Sequence, residues 1–579
     1  MTKRDDISPG RRTPRVRVLL LLVLAVALLA SVTVVRATDE EQDRRRAKLE
    51  NLKLISEAYD RILEYYVDEL DPKEVMEAAI KGMLDDLDEH SNYLPPVNYE
   101  DLVMSTEGEF GGLGITINIR DHYPTVVSPI EGTPAYYMGV QGGDQIIEIE
   151  GESSFDFTSR EAVKLLRGPR GTKVNITIQR PGTETPIPLT ITRDIIKIES
   201  VPYSFMMDGI GYIKVGNFAR TTAQEMRTRL DELEAEGMRG LILDLRFNPG
   251  GLLTAAQEVA ELFLPRDDMI VFTRGRLPEH NQSYRSRTRG SVYDRVPVLV
   301  MINNSSASAS EIVSAAIQDH DAGLVVGKTS FGKGSVQTVF RLDQDEALKL
   351  TTARYYTPSG RSIHLERDRD GRPVGMDEEG EIPEDHPDLE ADPEEREELR
   401  FEKEKFYTDS GRVVYGGGGI TPDIELDQDF LTDFEVAVER DGVLFAYAVD
   451  FAATHSGVSA TADVSDDDFT AFKEFLDQRE NIEEYLGDFE LAMNDSLLDA
   501  NEAYLKRGIR RELSRRVIGP QAAYRVAIEA DTQLHEALAL FQKASTLREL
   551  LALAESWNEE QLRQLAVDTT EEVEEPVSN

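Results

Sequence analysis

The spacing of apolar residues predicts two helices near the start of the chain. Apolar side chains recur every three or four positions between Leu52 and Tyr66, which is the pattern of an amphipathic helix. A second helix is expected directly after it, because Asp71 supplies an N-cap acid and Pro72 suits the first helical position. The sequence predicts that this helical pair ends at Pro95-Pro96.

From about residue 106 the pattern changes to short apolar runs separated by glycine. Such runs indicate β-strands, here "FGGLGITI", "TVVSPI", "DQIIEIEG", "VNITIQR" and "IPLTITR". One compact helical segment is expected among them, from Ser159 to Leu166. We therefore predict a small, mostly β domain over residues 106–198.

Strand-like and helix-like segments then alternate over residues 199–424. The predicted strands are "GIGYIKV", "GLILDLR", "VPVLVMIN" and "AGLVVGK", and helices are expected over residues 222–236, 252–263 and about 308–318. This alternation is typical of an α/β fold. Residues 365–410 are so rich in charged side chains that we interpret them as an exposed insertion. Helical spacing returns over residues 425–579, which indicates a C-terminal helical domain.

The N-terminus carries an apolar run from Val18 to Val35 behind a basic segment. The basic residues are Arg11, Arg12, Arg15 and Arg17. This arrangement predicts an export signal, and the run is close to the roughly 20 residues that span a bilayer. Because no good cleavage site follows, we interpret residues 1–37 as a cytoplasmic tail and membrane anchor, and residues 38–105 as an N-terminal helical region beyond the membrane. In a bacterium the bulk of the chain would lie in the periplasm of the cell envelope, or outside the cell if the signal is cleaved.

Composition narrows the classes of function. The chain has 108 acidic and 64 basic residues and a net charge of -44, so its surface would repel nucleic acid phosphates. It has no cysteine, which excludes disulfides, thiolate metal sites and a thiol nucleophile. Nucleic acid is therefore not an expected partner.

Four serines lie within six residues, from Ser305 to Ser310, between a predicted strand and a predicted helix. A serine hydroxyl needs a base within hydrogen-bond distance to act as a nucleophile near neutral pH. Two histidines, His320 and His364, fall in the same predicted domain. The turn-like surroundings of His320 favour a solvated or capping role, so a Ser/His/Asp triad is the weaker hypothesis.

Lysine is the other candidate base. Lys333 is flanked by Gly332 and Gly334 in "GKTSFGKGSVQ", with no acid within several residues, and burial away from carboxylates favours a neutral lysine amine. In an extended strand Gln337 would lie on the same side and could orient that amine. The alternatives are a glycine turn with an exposed lysine and a phosphate loop, although the GxxxxGK[ST] spacing is missing.

A third stretch, "DLRFNPGGLL", runs from a predicted buried strand through a tight turn into a helix. The adjacent glycines Gly250 and Gly251 would expose backbone N–H groups, which an oxyanion hole requires. The alternative is an ordinary strand-to-helix turn.

Together these stretches resemble the C-terminal processing peptidases, also called tail-specific proteases, which are serine proteases with a Ser/Lys dyad. The resemblance runs in order over roughly residues 50 to 425 and rests on "DLRFNPGG", "SASASE", "FGKGSVQ", "YYTPSGRSI" and "GGGGITPD". It implies that Ser308 is the nucleophile, Lys333 the base and Gln337 its support. It also implies that the backbone of Ala309 and of the Gly250-Gly251 turn forms the oxyanion hole.

The small β domain is similar to a PDZ domain of the bacterial, permuted type. Its carboxylate-binding loop is matched by Phe110, Gly111, Gly112, Leu113, Gly114 and Ile115, and its second signature by "GTPAYYMGVQGGDQIIEIEG". Amides of such a loop would bind a terminal carboxylate, while the following strand pairs with the peptide. Arg167 resembles an arginine that in some relatives links the PDZ domain to the active site.

The expected fold class is thus multidomain α/β: an α/β serine protease core with an inserted PDZ-like β domain and helical N- and C-terminal regions. The expected function is that of an exported serine endopeptidase that recognises apolar C-terminal tails of proteins and cleaves near that end, without a metal or nucleotide cofactor. The resemblance also implies a homodimer through the N-terminal helices. Two alternatives stay open, namely a catalytically silent PDZ scaffold and a protease gated by a regulatory partner.

Overall fold

The structure is a computed structural model, and it describes residues 42–287, 296–342, 345–365, 404–454, 464–477, 485–489, 491–492 and 494–557. The predicted anchor, most of the charged insertion and the C-terminal tail lie outside these residues. No helix within the described ranges is both long enough and apolar enough to cross a membrane. The chain divides into two compact units, one up to Asp88 and one from Glu89 onward.

The first unit contains the predicted helical pair, α1 over residues 42–65 and α2 over Pro72–Leu84. As the sequence predicts, the side chain of Asp71 caps α2 by accepting a hydrogen bond from the amide of Lys73 at 2.7 Å. The hydroxyl of Tyr59 donates to the carbonyl of Pro72 at 3.0 Å and so links the two helices.

The second unit begins with strand β1 (Asn92–Leu94) and a helix that the sequence analysis missed, α3 (Pro96–Glu107). The prediction that the helical pair ends at Pro95-Pro96 was wrong, because α2 already ends at Leu84. Pro96 instead occupies the first turn of α3, where its missing N–H is tolerated. The helix ends at Gly108, whose left-handed φ of 78° turns the chain directly into the next strand.

A small β domain follows. Its strands are β2 (Glu109–Gly112), β3 (Ile115–Arg120), β4 (Tyr123–Pro129), β5 (Gln145–Ile149), β6 (Glu152–Ser153), β7 (Lys173–Gln179), β8 (Ile187–Thr192) and β9 (Asp194–Lys197). Its helices are α4 (Pro134–Tyr137) and α5 (Ser159–Leu166), the latter with the predicted bounds. The main sheet has the order β3-β4-β5-β7-β8, and β6 pairs with β5 while β2 pairs with β9. Strand β3 therefore lies at the edge of the sheet.

The α/β core contains a six-stranded sheet in the order β10-β11-β12-β15-β16-β21. These strands are β10 (Tyr203–Met207), β11 (Ile210–Lys214), β12 (Gly240–Asp244), β15 (Val298–Ile302), β16 (Leu324–Gly327) and β21 (Ile424–Glu425). All neighbours pair in parallel except β10 and β11. One face packs against α6 (Thr222–Ala235), α7 (Leu253–Ala260) and α8 (Ala309–Asp319). The predicted alternation of strands and helices is confirmed.

A second, antiparallel sheet lies beside this core in the order β1-β18-β13-β14, with β17 also on β18. Its further strands are β13 (Met269–Gly275), β14 (Ser283–Arg285), β17 (Ser335–Arg341) and β18 (Ala347–Tyr356). A hairpin of β19 (Lys405–Tyr407) and β20 (Val413–Tyr415) follows. The predicted insertion extended to residue 410, yet β19 and the buried Thr408 belong to this ordered hairpin.

The C-terminal region is helical, as predicted. Its helices are α9 (Asp433–Asp441), α10 (Val443–Thr454), α11 (Asp466–Leu476), α12 (Asp495–Ala500), α13 (Glu502–Val517), α14 (Pro520–Ala527), α15 (Thr532–Lys543) and α16 (residues 547–557). Leu534 and Phe541 of α15 pack on the second face of the six-stranded sheet. The helical region also contacts the small β domain, where the guanidinium of Arg120 donates to the carbonyl of Gly442 at 2.9 Å. The C-terminal helices therefore complete the core of the α/β domain.

Candidate active site

Ser308 lies between the end of β15 and the start of α8. Its backbone has φ 55°, an unfavourable value for a residue with a side chain. The neighbouring serines are hydrogen-bonded to the backbone of the preceding loop, because the hydroxyl of Ser306 donates to Leu245 and that of Ser310 to Asn248, each at 2.9 Å. These hydrogen bonds of Ser306 and Ser310 therefore hold the backbone on both sides of Ser308, which lies at the N-terminus of α8.

One cavity of about 550 Å³ brings together the three stretches that sequence reasoning selected. The predicted site residues that line it are Gly250, Gly251, Ser308, Lys333 and Gln337. Its walls are largely apolar and include Tyr99, Leu102, Val103, Leu252, Ile312, Val336 and Val339. Three of these apolar residues come from α3, the helix that the apolar pattern did not reveal.

The glycine turn closes one side of the cavity. The amide of Gly250 donates to the side-chain oxygen of Asn248 at 2.9 Å. Gly251 forms an isolated parallel bridge with Phe218. The hydrogen bonds of this bridge do not use the amide of Gly251, because the amide of Phe218 donates to the carbonyl of Gly250 and the amide of Leu252 donates to the carbonyl of Phe218. Among the described residues, no acceptor is bound to the amide of Gly251 or to that of Ala309, the first residue of α8. Gly251 lines the cavity, whereas Ala309 is buried next to Ser308 and is not part of the cavity lining.

Lys333 is partly buried and precedes β17. The prediction that Lys333 and Gln337 share one side of a regular strand was wrong. Lys333 lies before the start of β17, and a β-bulge between Val336 and Gln337 interrupts the regular alternation of side chains. The side-chain amide of Gln337 donates to the hydroxyls of Ser335 at 2.9 Å and Thr351 at 3.3 Å. Both Lys333 and Gln337 nevertheless line the same cavity.

Models of three known protein domains match parts of the chain. Residues 209–370 match the model of peptidase family S41, residues 125–180 a PDZ domain, and residues 26–95 the N-terminal domain of the activating protease CtpB. A carboxy-terminal-processing protease of Bartonella bacilliformis is 41% identical over 355 residues, which cover 60% of this chain and 80% of that protein. The chain belongs to the carboxy-terminal processing proteases of family S41. It is therefore a serine protease of this family with a PDZ domain.

The chain is also similar to other processing proteases at lower identity. The carboxy-terminal processing protease CtpA of Bacillus subtilis is 34% identical over 354 residues, or 60% of this chain and 74% of its own length. Among solved structures, the photosystem II D1 C-terminal processing protease is 26% identical, with a TM-score of 0.31 and coverage of 57% of this chain and 95% of that one. The S41 match ends at residue 370, well before the C-terminal helices of this processing protease.

Sequence reasoning missed Glu311, a fully buried acid of the processing protease. Its carboxylate accepts hydrogen bonds from the amides of Ser308 at 2.7 Å, Gly332 at 2.7 Å and Lys333 at 3.0 Å, and from the hydroxyl of Ser330 at 2.6 Å. Burial raises the pKa of Glu311, although these donors act in the opposite direction. The expectation that no acid lies near Lys333 holds only along the sequence. The S-x-x-E spacing of Ser308 and Glu311 is the signal that could have revealed the contact between these two residues.

Tyr355 is a second residue without a predicted role. Its side chain is buried, lines the cavity, and donates its hydroxyl to the carbonyl oxygen of Lys333. Burial and the nearby charge of Glu311 raise the pKa of Tyr355 well above its ordinary value, so the hydroxyl stays protonated. Tyr355 lies within the quoted motif "YYTPSGRSI", and a tyrosine at the end of a predicted strand was the available signal.

The histidines do not belong to this cavity. Of the two predicted roles of His320, the capping role is confirmed, because His320 is the C-cap residue of α8; its side chain is only 10% exposed and is therefore not solvated. Its ring hydrogen-bonds with Asp409 at 2.8 Å and with the carbonyl of Met269 at 2.6 Å. His364 lies next to Gly334, where an added Cβ atom would come within 2.8 Å of the Cβ of His364, and it is not among the residues that line the cavity.

In the PDZ domain, Phe110, Gly111 and Gly112 lie within β2, while Leu113 and Gly114 connect β2 to β3, which begins at Ile115. The guanidinium of Arg167 stacks 4.9 Å from the ring centre of Phe110. It also donates to the carboxylate of Asp101 on α3 at 3.1 Å. Arg167 therefore connects the predicted carboxylate-binding segment with the helix that forms the cavity wall.

Proposed function

We propose that this processing protease is an endopeptidase that binds protein C-terminal tails through its PDZ domain and cleaves near that end with a Ser308/Lys333 dyad. The observation that carries the proposal is the shared cavity, in which Ser308, Lys333 and Gly251 face one apolar space. An apolar cavity suits the apolar tails that the sequence resemblance implies, because burying charged side chains there would be costly.

In the proposed reaction the hydroxyl oxygen of Ser308 attacks the scissile carbonyl carbon. The neutral amine of Lys333 takes the hydroxyl proton and then gives it to the leaving amine as the peptide C–N bond breaks. Water hydrolyses the acyl-enzyme in a second step, and its proton returns through Lys333 to the serine oxygen. The amides of Gly251 and Ala309 stabilise the oxyanion, since these two donors have no acceptor in the described structure.

Tail recognition is proposed to use the open edge of β3. An added peptide strand would pair with this edge, and the amides that follow β2 at Leu113 and Gly114 would bind the terminal carboxylate. Binding of a peptide to the PDZ domain would affect α3 through the hydrogen bond between Arg167 and Asp101.

Localisation and assembly are part of the same proposal. The basic segment and apolar run up to Val35 support a protease anchored in the bacterial inner membrane with its bulk in the periplasm. A homodimer through the N-terminal helices is supported by exposed apolar side chains at Leu52, Ile62 and Tyr66. The alternative of gating by a regulatory partner predicts slow cleavage by the isolated chain, whereas full activity of the isolated chain would argue against it.

The test is cleavage of peptides with an apolar, free C-terminus by purified variants. Ser308→Ala and Lys333→Ala are each expected to abolish cleavage without unfolding the protein. Matched controls are Ser305→Ala, an exposed serine of the same cluster, and Lys328→Ala, whose amine pairs with Glu425 and Asp427. Robust cleavage by either dyad variant would disprove the proposed mechanism and favour the silent scaffold.

A further inference from the structure

A buried charge cluster lies at the end of β12, just before the glycine turn in the sequence. Asp244 is the last residue of β12 and is fully buried. Its carboxylate accepts hydrogen bonds from the hydroxyl of Tyr212 at 2.7 Å, the amine of Lys214 at 3.0 Å and the guanidinium of Arg246 at 2.7 Å. The α/β core alone therefore places two cations against one carboxylate, which leaves one positive charge without compensation.

The missing negative charge comes from the C-terminal helical region. Asp531, the N-cap residue of α15, accepts from the guanidinium of Arg246 at 2.5 Å, and the side-chain oxygen of Gln533 accepts from it at 3.0 Å. The Arg246 side chain is only 8% exposed, so water compensates little of its charge. From the same region Tyr524 contacts the hydroxyl of Tyr212 at 2.7 Å. The cluster is electrically complete only when the C-terminal helices are in place.

Arg246 continues directly into the turn that forms the cavity. Its carbonyl accepts from the amine of Lys214 at 2.5 Å, and the amide of Phe247, a residue with φ 58°, donates to Asn303 at 2.9 Å. The next residue, Asn248, accepts from the amide of Gly250 through its side chain and from that of Ala307 through its carbonyl. Arg246 is therefore connected, through the backbone and the hydrogen bonds of Asn248, to both the glycine turn and the loop of Ser308.

We propose that Asp531 is a positioning residue, through which the C-terminal helical region holds Arg246 and thereby the oxyanion-binding turn against Ser308. This inference rests on the proposed Ser308/Lys333 function. Asp531 lies outside the S41 match at residues 209–370, so the segment beyond the peptidase domain contributes to the working geometry of the active site. The C-terminal helices are in this view a part of the catalytic domain and not an appendage to it.

The test is Asp531→Asn in the full chain. Asparagine caps helices as well as aspartate does, and Asp531 accepts from the amide of Leu534 at 3.0 Å, so this variant removes the charge and retains the cap. We expect kcat to fall by about 100-fold with KM within about twofold, because a small misplacement of catalytic donors costs this much rate. The control is Asp499→Asn, which removes an exposed partner of Lys473 far along the helical region and should leave both constants unchanged.

A double-variant cycle makes the result specific. If Asp531 acts through Arg246, then Arg246→Gln combined with Asp531→Asn loses no more kcat than Arg246→Gln alone. An unchanged kcat in Asp531→Asn would overturn the inference. So would losses that multiply in the double variant, or a loss that matches the unfolded fraction measured by circular dichroism. Ser308→Ala, assayed in parallel, separates the two proposals. An active Ser308→Ala variant would refute the dyad, whereas an inactive Ser308→Ala variant together with an unchanged kcat of Asp531→Asn would refute only the role of Asp531.

Discussion

The carboxylate of Glu311 accepts a hydrogen bond from the backbone amide of Ser308 at 2.7 Å. The buried acid therefore holds the backbone of the proposed nucleophile and, through the amide of Lys333, the backbone of the proposed base. A single carboxylate thus holds the backbone of both residues of the proposed dyad, and both residues line the cavity.

Glu311→Ala is expected to abolish cleavage and to destabilise the fold. The substitution leaves four donors without an acceptor in a buried site, and we expect a loss of about 3 kcal/mol or more in the free energy of unfolding. Peptide cleavage and urea unfolding measure the two effects. Glu311→Gln, which retains one acceptor oxygen, should lie between the wild type and Glu311→Ala. A stable Glu311→Ala variant with normal activity would contradict this role.

Gly250→Ala is expected to inactivate the protease by steric interference. Gly250 has φ 100°, and a Cβ atom there would lie 2.7 Å from the Cβ of Ser308 and 2.9 Å from the amide nitrogen of Ala309. We expect a loss of about 100-fold in kcat/KM, as for removal of one oxyanion donor. The control is Gly237→Ala, which has φ 87° but nothing within 4 Å of the added methyl group. Equal activities of the two variants would refute the prediction.

Arg167→Ala is expected to impair cleavage of substrates that end in a free carboxylate. The substitution removes the contact with Asp101 and the stacking on Phe110. We expect kcat/KM to fall by about tenfold for a peptide with a free C-terminus, which corresponds to about 1.4 kcal/mol. An amidated peptide of the same sequence should show little change. The control is Arg170→Ala, which breaks an exposed ion pair with Asp194 in the same domain, and an equal effect of both variants would contradict the link.

His320 should make stability depend on pH. Burial lowers the pKa of His320, but hydrogen bonds to Asp409 and to the carbonyl of Met269 outweigh it, so the pKa is raised above 6.5. The protonated ring therefore stabilises the folded state fully below about pH 6.5, and this contribution is lost as the pH rises through the folded-state value. Urea unfolding between about pH 6 and about pH 9 should show a shrinking advantage of the wild type over His320→Gln. A constant difference across this range would show that the ring does not titrate as proposed.

The sequence was sufficient to predict the elements that carry the core. Strands such as Gly240–Asp244 and Val298–Ile302 are continuous apolar runs, as expected for parallel strands covered on both faces. The helices between them have regular apolar faces, so their predicted bounds agree with α6, α7 and α8 to within a few residues.

The rest depends on contacts between distant segments. Helix α3 has no buried residue, because its apolar side chains line the cavity and not the core. The sequence of α3 therefore lacks the regular spacing of apolar residues that marks a helix packed on a core. The bulge at Val336 changes which side chains of β17 share a face, and no local signal marks it. Glu311 and Lys333 are 22 residues apart, so their contact could not be read from spacing along the chain.

Gly108 has a consequence for the exchange of modules between relatives. This single residue separates the cavity-lining helix α3 from the first strand of the PDZ domain, and its carbonyl accepts from the amide of Ile198 at the other end of that domain. A chimera joined at Gly108 and Ile198 would keep the tail specificity proposed for the PDZ domain of one parent but would combine it with the cavity-lining helix of the other parent. A functional hybrid should therefore take all of residues 96–198, which include both α3 and the PDZ domain, from the same parent.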